Sequence, residues 1–202
     1  MLTIGVLISG RGSNLQAIID AIERNELAAR IAAVISNRPD AYGLERARIH
    51  HIDALCIPSK GKERGDFEME VAGALESRGV ELVCLAGFMR ILSPFFLRRF
   101  KHRIMNVHPA ILPSFPGEEA QKQAYDYGSK VTGCTVHFVD EGVDTGPIVI
   151  QIPVPVDEED TVESLSSRIL EQEHRAYPAA IQLFADKRLK VEGRRVKVLD
   201  LK

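Results

Sequence analysis

Apolar and polar positions along this chain follow two different periods, and the switches between them mark out its elements. Leu2 to Ile8 is an unbroken apolar, β-branched run, the pattern of a strand buried on both faces of a parallel sheet. From Leu15 the apolar positions recur at helical spacing (Leu15, Ile18, Ile19). The same couplet then repeats. A strand is predicted at Ile31–Ile35 and a helix from Ala41 to about Ile49. A short strand at Ala54–Pro58 precedes a helix from about Asp66 to Ser77, and another strand follows at Glu81–Ala86. Ser93-Pro94 reads as a cap and a first-turn proline, opening a short helix to Phe100. The apolar run from Arg103 to Val107 ends the next strand. Strands alternating with helices in this way predict a parallel, doubly wound α/β sheet with helices on both faces.

Beyond Gly117 the pattern changes. A helix is expected from Glu118 to about Tyr127, then two β-rich runs at Val131–Val139 and Pro147–Ile152. A long helix from Thr161 to about Phe184 contains Pro178, which should kink or interrupt it. Lys190–Leu199 reads as a small hairpin turning near Glu192-Gly193. The expected organisation is one domain over residues 1–202, with a first half at 1–105 and a β-rich second half at 106–202.

Composition narrows the function classes. With 45% hydrophobic residues among 202, the chain can bury a sizeable core. A formal net charge of −2 supplies no basic field for nucleic acid. Cys56, Cys84 and Cys134 each sit in an apolar, strand-like run and form no C-x-x-C pair, so buried free thiols in a reducing cytoplasm are expected. The apolar start is too short for a membrane span and lacks the charged opening of a signal peptide. His50, His51, His102, His108, His137, His174 and the cysteines show no ligand spacing, so no metal is expected. His50 and His51 read as ordinary surface residues. His137, two residues after Thr135 on a strand, either borders a site or is a satisfied core histidine.

Three loops carry candidate chemistry. Ser9-Gly10-Arg11-Gly12-Ser13-Asn14 is a glycine-rich turn into a helix start, where backbone N–H groups and the positive end of the helix dipole favour a phosphate. A dinucleotide fingerprint would need a third glycine where Leu15 stands, so the turn suits a single phosphate. Asn106 and His108, two apart, share a face at a strand's carboxyl end. An amide donor beside an imidazole can flank a carbonyl that becomes an oxyanion. The loop after them is stiffened by Pro109, Pro113 and Pro116 and closed by Gly117. Gly87-Phe88-Met89-Arg90-Ile91-Leu92 places apolar residues after a strand's carboxyl end, where open α/β sheets take ligands. Asp140-Glu141-Gly142-Val143-Asp144-Thr145-Gly146 is a turn at minimum.

Four segments in order make the chain resemble the phosphoribosylglycinamide formyltransferase family. They are Ser9-Gly10-x-Gly12-Ser13-Asn14-Leu15, Ala86 to Leu92, Asn106-x-His108-Pro109, and Gly133-x-Thr135-Val136-His137-Phe138-Val139 continuing to Val143-Asp144-x-Gly146-Pro147. The resemblance runs essentially end to end and implies a Rossmann-like formyltransferase fold. It implies formyl transfer from 10-formyltetrahydrofolate, a cosubstrate, to glycinamide ribonucleotide in purine synthesis. The implied catalytic trio is Asn106, His108 and Asp144. The implied nucleotide contacts are Gly12, Ser13, Asn14 and Glu173. The implied folate contacts are Arg64, Met89, Arg90, Ile91, Leu92, Asn106, Asp140, Glu141, Gly142, Val143 and Asp144. The first half would then bind nucleotide, and the second would carry catalysis and folate. A monomer or weak homodimer is implied, with no nucleic-acid or membrane partner. Many relatives carry a histidine two positions after the Pro-Gly pair, where this chain has Glu118-Glu119.

The chemistry adds one expectation. Free imidazole is mostly neutral at pH 7, and an adjacent carboxylate favours its charged form. Asp144 is therefore expected to raise the His108 pKa and to position a water that relays the proton. Two rivals share parts of the pattern: a formyltetrahydrofolate hydrolase, expected to carry a further N-terminal domain, and a binding protein that has lost catalysis. A transfer-RNA-directed formyltransferase would need an added C-terminal domain and a basic surface.

Overall fold

Leu2–Ile8 is buried at every position, and this strand, β1, is the one around which the first of two units is built. The structure, a computed structural model, describes residues 1–200. The first unit runs from Met1 to Met105 and the second starts at Asn106. In the first unit β1 leads to α1 (Ser13–Glu23), β2 (Ala29–Ser36), α2 (Tyr42–Ile49), β3 (Ala54–Cys56), α3 (Arg64–Glu76), β4 (Leu82–Leu85) and α4 (Pro94–Arg99). The strands lie in the order β3-β2-β1-β4, with each neighbouring pair parallel.

The chain winds outward from β1 to β3, then returns to place β4 on the other side of β1. That reversal makes the carboxyl ends of β1 and β4 a topological switch point, the place where such sheets bind ligands. In parallel sheets of this kind right-handed crossovers carry helices to both faces. Ile4, Val6, Ile8, Leu15, Ile18 and Phe67 fill the core between them. The Ser93 hydroxyl caps α4 by accepting from the Phe96 N–H, as the Ser-Pro pair predicts.

β5 (Ile104–His108) carries the chain into the second unit. There α5 (Ala120–Tyr127), β6 (Val131–Phe138), β7 (Ile148–Pro155), α6 (Val162–Ala185), β8 (Leu189–Glu192) and β9 (Arg195–Val198) follow. The strand order is β6-β7-β9-β8. β6 and β7 are antiparallel, β7 and β9 parallel, and the β8–β9 hairpin antiparallel. α6 lies on β6 and β7 through a buried stripe of Leu165, Ile169, Glu173, Tyr177 and Ile181, four residues apart throughout.

One of the two outcomes expected at Pro178 is excluded, and the expectation at Cys56 needs correction. α6 runs through Pro178 as one element of 24 residues and is not interrupted there. Proline removes one N–H, but Tyr177, Pro178, Ala180 and Ile181 are all buried, so packing holds the helix together. Cys56 is exposed, whereas Cys84 and Cys134 are buried. The reason is its place at the end of β3, the outermost strand in the first unit's order. No described helix is long and apolar enough to cross a membrane.

Candidate active site

β5 alternates its side chains, so Asn106 and His108 point to one side, and the structure brings Asp144 to them from the loop between β6 and β7. His108 Nδ1 is 3.2 Å from Asp144 Oδ2, and His108 Nε2 is 2.8 Å from the Phe115 carbonyl oxygen. Asn106 Nδ2 is 3.5 Å from Asp144 Oδ1 and 3.4 Å from His137 Nε2. Asp144 Oδ2 also accepts from the Gly117 N–H at 2.8 Å. His108 is only 4% exposed.

Each of these positions has a local cause. The proline loop after β5 is held from β6: the Thr135 hydroxyl donates to the Ala110 carbonyl at 2.7 Å and accepts from the Leu112 N–H at 3.1 Å. Gln151 Nε2 donates to the Leu112 carbonyl at 2.8 Å. Phe115 and Asp144 both have left-handed backbone, at φ 54° and 53°. Aspartate tolerates that region, but a bulky aromatic reaches it only when its surroundings impose it. The loop that carries Asp144 is shaped by Asp140, whose Oδ1 accepts from the Gly142 N–H at 3.2 Å and the Thr145 hydroxyl at 2.6 Å. A Cβ on Gly146 would come within 1.7 Å of the Phe138 carbonyl oxygen, so only glycine lets the loop return so close to β6.

The electrostatics correct the expected direction at His108. Burial lowers its pKa most; the Asp144 carboxylate and the Phe115 carbonyl raise it, and the net result lies below the ordinary histidine value. Asp144 therefore acts in the expected direction but does not outweigh desolvation. Asp144 is itself pushed up by burial, but His137, the Gly117 N–H and His108 pull it below the usual carboxylate range. The result is an ionised carboxylate beside a mostly neutral imidazole whose two nitrogens both face acceptors. A neutral ring carries one N–H and satisfies one acceptor; a second proton would satisfy both. The site thus stores favourable contacts for a charge that the resting ring lacks.

In the first unit the turn at Gly12 matches its expected form. Gly12 has φ 71° and precedes α1, whose opening turn directs N–H groups outward. Ser13 and Asn14 are the first two residues of α1. A Cβ on Gly12 would lie 2.8 Å from the Gly43 Cα, so the turn and the start of α2 touch backbone to backbone. Arg46 Nε donates to the Arg11 carbonyl at 2.9 Å and supports the same turn. At the end of β4, Met89 and Ile91 are exposed, Leu92 is buried, and the Arg90 guanidinium lies 5.2 Å from the Phe67 ring centroid. Arg64 donates from Nη2 to the Ile91 carbonyl at 2.5 Å. In the second unit Glu141 and Val143 are exposed on the Asp144 loop. Glu173 is buried on α6; after burial itself, its carboxylate is the next cause that pushes the Cys134 thiol up to about 12. Cys134 is therefore no nucleophile at neutral pH. Among the described residues no group of His, Cys, Asp and Glu could hold a metal ion.

Comparison with known proteins places this geometry. Residues 2–181 match the family model described as formyl transferase. The chain belongs to the formyl transferase family. It is 44% identical over 191 residues to the phosphoribosylglycinamide formyltransferase of Escherichia coli (strain K12), covering 94% of this chain and 90% of that protein. It is 48% identical to the trifunctional purine biosynthetic protein adenosine-3 of Chironomus tentans over 90% of this chain, but spans only 14% of that protein's length. Among solved structures, glycinamide ribonucleotide transformylase 1 from Symbiobacterium toebii superposes with a TM-score of 0.97 at 56% identity, over 99% of this chain and 95% of that one.

Two further groups take part in the site, one left open by the sequence and one with almost no signal in it. His137 is 2% exposed and its Nε2 lies 3.5 Å from Asp144 Oδ1, so it borders the site although the sequence left that open. Its Nδ1 is 2.9 Å from the Phe138 carbonyl and its Nε2 is 3.4 Å from Asn106 Nδ2, so the ring is held between β6 backbone and the Asn106–Asp144 pair. The Phe115 carbonyl was not expected at all. Its only trace in the sequence is the stiffness that three prolines give the loop.

Proposed function

We propose that this chain transfers the formyl group of 10-formyltetrahydrofolate to the amine of glycinamide ribonucleotide, in purine biosynthesis. The observation that carries the reading is the buried His108–Asp144 pair beside Asn106, in a chain of this family. Names borne by relatives over most of their length agree with it. Cys56, Cys84 and Cys134 form no disulfide, which suits a reducing, cytoplasmic compartment.

The amine nitrogen attacks the formyl carbon. A new N–C bond forms, the carbonyl oxygen becomes an oxyanion, and the attacking nitrogen becomes an ammonium. Asn106 donates its amide to the oxyanion. A donor of this kind is worth roughly a hundred- to a thousandfold in rate. His108, mostly neutral, takes the proton from the ammonium at Nε2, which exchanges the Phe115 carbonyl for the reacting nitrogen. Asp144 holds Nδ1–H and stabilises the imidazolium that results. The ring then gives its proton to N10 of the folate as the C–N10 bond breaks. Products are the formylated amine and tetrahydrofolate, with no net proton change. The turn at Gly12, Ser13 and Asn14 binds the phosphate, and Glu173 the ribose. Folate contacts are read in each unit by itself: Arg64 and the loop from Met89 to Leu92 in the first, and Asn106 with the loop from Asp140 to Asp144 in the second.

One assay decides among the rivals. The protein is given 10-formyltetrahydrofolate with and without glycinamide ribonucleotide, and loss of the folate formyl group is followed. Loss that depends on the amine is expected. Loss without it would make the protein a hydrolase, and no loss under either condition would make it a binder.

A further inference from the structure

The loop after β4 is tied to its scaffold at four points, and the last tie is a buried carboxylate that the chemistry above does not use. The Gly87 carbonyl accepts from the Ser9 N–H at 3.0 Å, and the Met89 N–H donates to the Ser9 hydroxyl oxygen at 2.9 Å. The Ile91 carbonyl accepts from Arg64. Ser93 donates twice to Glu68 of α3: its N–H to Oε1 at 2.8 Å and its hydroxyl to Oε2. Glu68 is 2% exposed, and Arg64 Nε is 3.9 Å from its Oε1, so the third and fourth ties share a charge pair.

Burying a carboxylate is strongly unfavourable before its partners are counted. An apolar side chain would fill the same space in α3 without that cost. What the carboxylate adds is directional: it fixes both polar groups of Ser93 and steadies Arg64 over Ile91. Between the ties Met89 and Ile91 stay 69% and 59% exposed. Exposed apolar side chains on a backbone pinned at both ends are a preorganised platform, because the ordering cost is met before a ligand arrives.

We infer that Glu68 is a positioning residue for formyl-folate binding: it holds the 87–93 loop in the shape that receives the flat ring system of the donor. This rests on the folate reading of that loop. Glu68 touches neither substrate, so its loss acts on folate affinity and not on the chemical step.

Steady-state kinetics on the full chain test it. Glu68→Ala is expected to raise KM for 10-formyltetrahydrofolate about tenfold, with kcat and KM for the ribonucleotide changed by less than about twofold. Glu68→Gln, which keeps the volume and one acceptor oxygen, is expected to recover most of the loss. If Glu68→Ala does not fold, Ser93→Ala removes the hydroxyl tie, along with the α4 cap at the far side of the loop, and is expected to move the folate KM alone, by about threefold. An unchanged folate KM in whichever of these folds, or a rise shared by both substrates, would overturn the assignment. Met89→Ala separates the two layers. A raised folate KM there with a normal one in Glu68→Ala defeats the positioning role alone; a normal one in Met89→Ala defeats the folate reading of the loop.

Discussion

Asp144→Asn is expected to lower turnover by about a hundred- to ten-thousandfold, the range for an acid–base group, while ribonucleotide affinity stays within about twofold. The substitution keeps the shape and an acceptor for the Gly117 N–H, which lies 2.8 Å from Oδ2. It removes the charge 3.2 Å from His108 Nδ1, the one that stabilises the imidazolium when it forms. His108→Ala should fall in the same range, and the double variant should be little worse than either single one, because the two act as a unit. Single-turnover rates with saturating substrates measure this. Normal turnover in Asp144→Asn would remove the carboxylate from the mechanism, and strictly additive losses would mean the two groups work separately.

Gly12→Val is expected to weaken ribonucleotide binding by about a hundredfold or more while folate binding persists. Two independent obstacles combine. A β-branched residue at φ 71° is strained by about 1–3 kcal/mol. Its Cβ would also meet the Gly43 Cα at 2.8 Å, where backbone can move only if the turn opens. Either way the N–H groups that would meet a phosphate are displaced. Ser13→Ala leaves those backbone donors in place and is expected to cost far less. Titration of inorganic phosphate and of the ribonucleotide reads the difference; normal binding of both by folded Gly12→Val would put the phosphate elsewhere.

The two halves of this account were unequally visible in the sequence. Strand–helix alternation gave the first unit because fully buried parallel strands leave unbroken apolar runs, as Leu2–Ile8 does. The Asn106–His108 pairing needed only the two-residue period of a strand. The partnership of His108 with Asp144 could not be derived that way: 36 positions separate them, and only the family resemblance joined them. The sign of the His108 shift went wrong for a related reason. A sequence names the neighbouring charge, but not the burial that outweighs it. Glu68 was missed because a glutamate in a charged helix reads as solvated, and nothing local says that Ser93 will close over it. Cys56 failed in the opposite sense, since an apolar run does not say which strand will stand at the edge.

Protonation of His108 links the site to stability as well as to rate. Its folded pKa lies below the ordinary 6.5, so the neutral ring is the stabilising form. That contribution is fully present above pH 6.5 and is lost as pH falls through the depressed value. Asp144 behaves likewise further down: its contribution is present above the ordinary 3.8 and is lost as pH falls through its own lowered pKa.

A single titration addresses the claim that His108 is a buried, mostly neutral relay whose charge Asp144 supports. The His108 ring resonances are followed by NMR from pH 4 to 8 in the wild-type protein and in Asp144→Asn. The midpoint should lie below 6.5 in the first and lower still in the second, because the one carboxylate that raises it is gone. A wild-type midpoint above 6.5, or one that stays put or rises when Asp144 is neutralised, would contradict the account.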